Sequence, residues 1–460
     1  MSAEGGASGP GIAERQAPAS SLFQLSFPLF LHSVAMFAVV LLDTMIVSHH
    51  ALATAAAVQV ANQVAMVAFE VSALLGVGAV ILIAHALGRG DAAAAREIAA
   101  VAVAANTLLG VAAGLLLAVA GPPLVTLLDT PDAIAGEAQT YLRVVAAAMG
   151  FNGYVVAATA CLRGFGRSRT VLALGLFAAV FYLVAELVLV LGAGPIPAFG
   201  TLGSALGTLA TRVAAALTLA LVLLRGLGVG FDLHLFRHAG RRRIAAQLVS
   251  ISLPSVADNI AYGGYQIVLL GLVTGHGVAA VLARGYVMIA LAFLTLVVMA
   301  VSHGNEVLIG WLRGAGGTGT VQARALRSAA IAAIAATAVA ALLHALAGPF
   351  LGLFTDDPAV HALGRELLFL TILLQPGFAV NTILFHSLKA VGDTRWPAVV
   401  SQATTWCVGL PLAVLLSSVL GCGVAGIWYA LILEEALKAV FMLLRWQGRS
   451  WQRRVLFEPT

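Results

Sequence analysis

Apolar runs of about twenty residues or more follow one another from one end of this chain to the other, and that repetition constrains its fold more than any other feature. Of the 460 residues, 61% are hydrophobic and 10% are charged, whereas soluble domains carry roughly 25% charged residues. The runs are continuous rather than alternating, which argues against a β-barrel. The expected class is therefore an all-α polytopic membrane protein. About twelve spans are expected, near 26–48, 54–87, 99–120, 137–162, 169–191, 202–224, 246–274, 278–311, 328–347, 362–388, 397–418 and 423–445. Residues 1–20 are small and polar and read as a disordered cytoplasmic tail. They lack the charged start and short apolar core of a cleaved signal.

The loops give a topology. Arg89 and Arg96 follow the second span, Arg163, Arg167 and Arg169 the fourth, and Arg225 with Arg237, Arg241, Arg242 and Arg243 the sixth. Arg313, Arg324 and Arg327 follow the eighth, Lys389 and Arg395 the tenth, and Arg449, Arg453 and Arg454 the last. The intervening loops are neutral or acidic. Every second loop is thus basic, which places those loops and both termini on the cytoplasmic side of a cell inner membrane. The net charge of +5 sits in these loops and carries no sign of a nucleic-acid partner.

The chain also repeats itself. Ser26-Phe27-Pro28 recurs as Ser252-Leu253-Pro254, a spacing of 254 − 28 = 226. LRGFGRSRT (162–170) recurs as LKAVGDTRW (388–396) at the same spacing, and GTLGSA (200–205) recurs as GVAGIW (423–428). Ordered recurrence of this kind marks a duplicated unit with an even number of spans. Its two copies are related by an axis along the membrane normal. The expected organisation is a tail (1–20), an N-terminal six-helix lobe (21–226), a basic cytoplasmic linker (227–245), a C-terminal six-helix lobe (246–446) and a basic cytoplasmic tail (447–460).

Charges inside such spans are expensive, about 2.5–3.5 kcal/mol at the membrane centre, and mark functional positions by default. In the first half, apart from Arg143 in the fourth span, these are Asp43 in the first span, Glu70 in the second, Glu186 in the fifth and Arg212 in the sixth. Tyr182 lies one turn from Glu186 on the same face. This set is a candidate ion-coupling cluster; the competing reading is a structural bridge from Glu70 or Glu186 to Arg212. In the second half, Asp258 and Asn259 follow Pro254, and Arg284 lies in the eighth span within reach of Asp258. These residues and Asn381 form a candidate substrate or second polar site, or an ion pair fastening two helices. Glu434 and Lys438, four residues apart on one helix, are expected to neutralise each other. Asp43 has no counterpart in the repeat, since 43 + 226 = 269 is Leu269.

Other chemistries find little support. Cys161, Cys407 and Cys422 are scattered, which argues against a disulfide framework and a zinc site. GAGGTG (314–319) is not followed by GK[ST], so there is no phosphate-binding loop. Neither a nucleophile–base pair nor a metal-ligand run is present, and the expectation is a protein that is not an enzyme and holds no cofactor.

Pro28 with LLDTMIVSH in the first span, ALGRGD (86–91), LRGFGRSRT, LKAVGDTRW, GTLGSALGT (200–208) and GVAGIWYA resemble the motifs of the multidrug and toxic compound extrusion (MATE) family. That resemblance covers nearly the whole chain. It implies two six-helix lobes and export of organic, often cationic, compounds in exchange for protons or sodium, with Pro28 and Pro254 as hinge positions and Thr208, which closes the sixth-span motif, among the ion-coupling residues. Where the NorM-like branch carries acids in its seventh and tenth spans, this chain has Tyr262 and Phe378. The DinF-like branch, which concentrates its ionisable residues in the first lobe, fits better. That branch has an Asn four residues before an Asp in the fifth span, and here Tyr182 and Glu186 stand in their place. The lost amide favours protons over sodium as the coupling ion. The expected partners are a small organic substrate and the lipid bilayer, with no ATPase subunit, and the chain is expected to be a monomer. The alternatives are a lipid-linked glycan or lipid flippase of similar two-lobe build and a major-facilitator-type carrier.

Overall fold

The computed structural model describes residues 21–127, 130–231 and 239–453. The expected tail at 1–20, the middle of the expected linker and residues 454–460 lie outside the described residues.

A bilayer core offers backbone groups no water, so a spanning segment must satisfy them internally, and continuous apolar runs do so as helices. The described chain is helical almost throughout. Its helices are α1 (Leu22–His50), α2 (Leu52–Ser72), α3 (Gly76–Gly88), α4 (Ala92–Leu127), α5 (Asp132–Gly164), α6 (Ser168–Leu191) and α7 (Gly200–Leu227). They continue as α8 (Ala239–Thr274), α9 (Val278–Gly314), α10 (Thr318–Ala345), the short α11 (Ala347–Gly352), α12 (Pro358–Ala390), α13 (Arg395–Val419) and α14 (Gly423–Gln447). Among the described residues, eleven spans are long and apolar enough to cross a membrane, α2 and α3 together making one. The twelfth, α14, has the length at 25 residues but carries Glu434, Glu435 and Lys438 in its middle. The twelve-span expectation thus stands.

Two interruptions depart from the expected uniform helices. The second span breaks between Ser72 and Gly76, and the break is held from α4 by the fully buried Asn106. Its amide donates to Ser72 O and Gly153 O, both at 2.8 Å, and its carbonyl accepts from Leu75 N at 3.1 Å. Asn152 adds a bond to Ser72 Oγ at 2.6 Å. One asparagine side chain thereby satisfies backbone groups that the break would leave bare in an apolar interior. The other interruption is in α13, which contains two π-turns, Thr405–Gly409 and Leu415–Val419.

The chain divides into two compact units. The N-unit is Leu31–Ile83 with Ala92–Val256; the C-unit is Met1–Phe30 with Ala84–Asp91 and Ala257–Thr460. The division departs from the expected lobes of 21–226 and 246–446 in a regular way. Helix α1 changes unit after Phe30 and α8 after Val256, each two residues beyond its proline. Packing explains this. Ser26 lies directly against Gly304, and Phe30 meets the edge of Phe293 at 6.3 Å, which ties the start of α1 to α9. Ser252 Oγ accepts from Gly78 N at 2.9 Å, which ties the start of α8 to α3. Both prolines lie inside helices that run on without a break. The N-unit core packs Val47, Ala57, Ala61, Leu117, Leu142 and Met149, and the C-unit core is built around Tyr265, Leu269, Val287, Leu367 and Trp428.

Candidate functional site

In the N-unit, α1 and α6 bring Asp43, Tyr182 and Glu186 together. Asp43 is half-buried, and the Tyr182 hydroxyl donates to its Oδ1 at 2.7 Å. Glu186, one turn on from Tyr182, is fully buried at 0% exposure. Its polar neighbours are Asp43, Ser204 and Tyr182, yet neither of its carboxylate oxygens has a hydrogen-bond partner. A carboxyl group so placed must carry its own proton or take a cation, because an isolated buried charge is strongly disfavoured. Gly207 of α7 lies against the end of this side chain. A Cβ there would lie 2.8 Å from Glu186 Oε2.

Tyr141 completes this group from α5. It is 3% exposed, it donates to Asn62 Oδ1 at 3.2 Å, and Asp43, Glu186, Ser204 and Thr208 are its polar neighbours. Sequence reasoning missed Tyr141, Asn62 and Ser204, because each comes from a different helix and no spacing connects them to Asp43. Thr208 does fall beside Tyr141. Arg212 is half-buried and lies within electrostatic reach of Tyr182 and Tyr141. It forms no ion pair with Glu70 or Glu186, so the structural bridge posed as the competing reading is not formed. Glu70 is half-buried on α2, and no side-chain bond joins it to the cluster.

In the C-unit, the expected pairing of Asp258 with Arg284 does not form. Asp258 Oδ1 accepts from Gln402 Nε2 at 2.7 Å, and Arg284 donates to Gln266 Oε1 at 3.1 Å. Asn259 is exposed on α8. Asn381 belongs to another group. Its amide donates to Glu435 Oε2 at 2.9 Å, and Glu435 is part of a buried network on α14. Lys438 Nζ lies 2.5 Å from Glu434 Oε1 and 3.1 Å from Glu435 Oε1. Glu434 also accepts from Tyr265 at 2.7 Å and from Thr405, in the first π-turn, at 2.8 Å. The expected neutralisation of Glu434 by Lys438 is present, with Glu435 as an additional member. Glu435, Arg284, Gln375 and Met288 line a C-unit cavity of about 200 Å3.

Comparison with known proteins follows the same lines. The MatE family model matches residues 28–188 and again 254–415, and the second match starts 254 − 28 = 226 residues after the first, the spacing of the internal repeat. An uncharacterised transporter of Bacillus subtilis (strain 168), YisQ, is 26% identical over 94% of this chain and 94% of its own length. A probable multidrug resistance protein, NorM of Caulobacter vibrioides, is also 26% identical, over 94% of this chain and 92% of its own. Among solved structures, a MOP superfamily transporter from Pyrococcus furiosus superposes with a TM-score of 0.84 at 18% identity, over 96% of this chain and 98% of that one. An outward-facing multidrug resistance MATE family transporter has the same values. These structures share the fold. The doubled match of the family model shows that the chain belongs to the MatE family of membrane transporters.

Proposed function

We propose that the protein is a secondary active exporter that moves organic, amphipathic or cationic compounds out of the cytoplasm in exchange for protons. It would do so as a monomer in the cell inner membrane, with both termini in the cytoplasm. The observation that carries this reading is that Asp43, bonded by the Tyr182 hydroxyl, and the buried, unbonded Glu186 lie in one group, with no Lys or Arg ion pair to either among the described residues. Two carboxyl groups in an apolar interior repel as anions and coexist easily when one is protonated. Proton arrival and departure would therefore change the charge between α1 and α6. In this mechanism, a proton from outside neutralises the pair, α1 bends at Pro28 and substrate is expelled; release of the proton to the cytoplasm resets the site. The relatives named as multidrug resistance proteins support organic compounds as the cargo. A potential of 100 mV supplies about 2.3 kcal/mol per charge moved, so an exchange that moves net charge also draws on the membrane potential.

The test is dye transport in everted membrane vesicles under an imposed pH gradient and then under an imposed sodium gradient. The proposal expects the pH gradient alone to drive accumulation. Accumulation that follows sodium and ignores pH contradicts it.

A further inference from the structure

On the N-unit a second site has no connection to the acid cluster. Arg143 lies in α5, a helix of 33 residues, at 143 − 132 = 11 residues from its start. At about 1.5 Å per residue, its Cα stands about 8 Å from the helix midpoint and about 7 Å inside the edge of a ~30 Å hydrocarbon core centred there. Arg143 is exposed and makes no hydrogen bond or ion pair among the described residues. An arginine at such depth is normally paired or lines a polar cavity. This one lines an apolar groove of about 720 Å3.

The groove runs between α4, α5 and α7. Its floor is made of small residues, among them Gly114, Ala147 and Gly150, and its walls of Leu115, Phe151 and Leu217. Leu115 and Leu217 are 66% and 62% exposed within helices long and apolar enough to span a bilayer, an apolar surface suited to contact with acyl chains. Tyr154 and Phe231 close the other end, their ring centroids 6.0 Å apart. From Arg143 to Tyr154 is eleven residues of helix, about 16 Å, a length suited to an acyl chain. The site thus has the parts of an amphiphile receptor. A guanidinium that pairs with a phosphate in bidentate fashion stands at one end, and an unfilled apolar channel leads away from it. The side chain is long enough to carry its charge to the core boundary while its stem stays in the apolar layer.

We propose that this groove holds an anionic phospholipid of the bilayer, with its phosphate on Arg143 and one acyl chain laid along α5 toward Tyr154 and Phe231. The site is separate from ion coupling and would hold lipid whatever ion drives transport.

The test uses the full chain, purified and equilibrated with an equal mixture of phosphatidylglycerol and phosphatidylcholine in detergent, then washed, with the retained lipids quantified by mass spectrometry. The wild type should retain phosphatidylglycerol about 5-fold over phosphatidylcholine, the effect of one basic residue on an anionic lipid. Arg143→Gln should lose that preference, Arg143→Lys should keep part of it, and Ala147→Trp, which fills the channel, should lose both lipids. Circular dichroism and gel filtration identify any variant that fails to fold, in which case Arg143→Lys against wild type carries the comparison. Equal preference in wild type and Arg143→Gln overturns the proposal.

Discussion

Each unit sets a pair of acids among apolar helices, Asp43 with Glu186 in one and Glu434 with Glu435 in the other, and the two units treat the pairs in opposite ways. In the C-unit, Glu434 and Glu435 are held by Lys438, and Tyr265, Thr405 and Asn381 supply further donors. In the N-unit, Asp43 receives one hydroxyl, and Glu186 receives nothing. Both sites place an acid against a glycine of the paired helix. Gly207 makes room for Glu186, and at Gly409 a Cβ would lie 2.7 Å from Glu434 Cδ and 3.0 Å from the Tyr265 hydroxyl. The carriers are exchanged between the two helices of the pair. The acid lies on α6 beside a glycine of α7 in the N-unit, and on α14 beside a glycine of α13 in the C-unit. At the spacing of the GTLGSA and GVAGIW motifs, 423 − 200 = 223, Arg212 corresponds to 212 + 223 = 435, which is Glu435. The repeat has therefore kept the helices and inverted the charge. A satisfied network fixes one arrangement of its helices, while on the proposed function the unbonded acid is where an ion would act.

The contrast can be broken most severely at Lys438. Lys438→Met leaves two buried carboxylates without their cation and should destabilise the protein by about 3–5 kcal/mol. The midpoint of thermal unfolding in detergent measures this, and adding Glu434→Gln and Glu435→Gln should recover most of the loss. Gly207→Ala comes next. The new methyl displaces the Glu186 carboxylate, which should cost about 1–3 kcal/mol and slow transport, and Gly207→Ala combined with Glu186→Ala should relieve the crowding. The smallest effect on stability is expected for Tyr182→Phe. It removes one hydrogen bond to Asp43, about 1 kcal/mol, and sharpens the comparison because transport should fall far more than stability does. Removing Tyr265 from Glu434 by Tyr265→Phe should do the reverse, with stability falling more than transport.

Much of this organisation is legible in the sequence. Pattern alone gives the apolar runs, and the spacing of 226 reappears in the two family matches. Asp43, Tyr182 and Glu186 are legible because intramembrane acids are costly and four residues make one helical turn. The missing pieces are all tertiary. The second span breaks at Ala73–Leu75 with neither glycine nor proline in the break, because its cause is Asn106 on another helix. Tyr141 reads as one more aromatic in a span until α5 packs against α7. Asn381 reads as a candidate substrate-site residue, and no spacing shows that its amide is held by Glu435. The pairing of Asp258 with Arg284 fails because Gln402 and Gln266, both uncharged, take up their polar atoms first.

The central claim is that the N-unit acid pair exchanges a proton for substrate, and the direct measurement is substrate-driven proton flux in liposomes carrying wild-type protein or Asp43→Asn. The account predicts that wild-type protein moves protons when substrate is supplied and that Asp43→Asn moves neither protons nor substrate, while its unfolding midpoint stays near that of the wild type. Proton flux and dye efflux close to wild type in Asp43→Asn would contradict it.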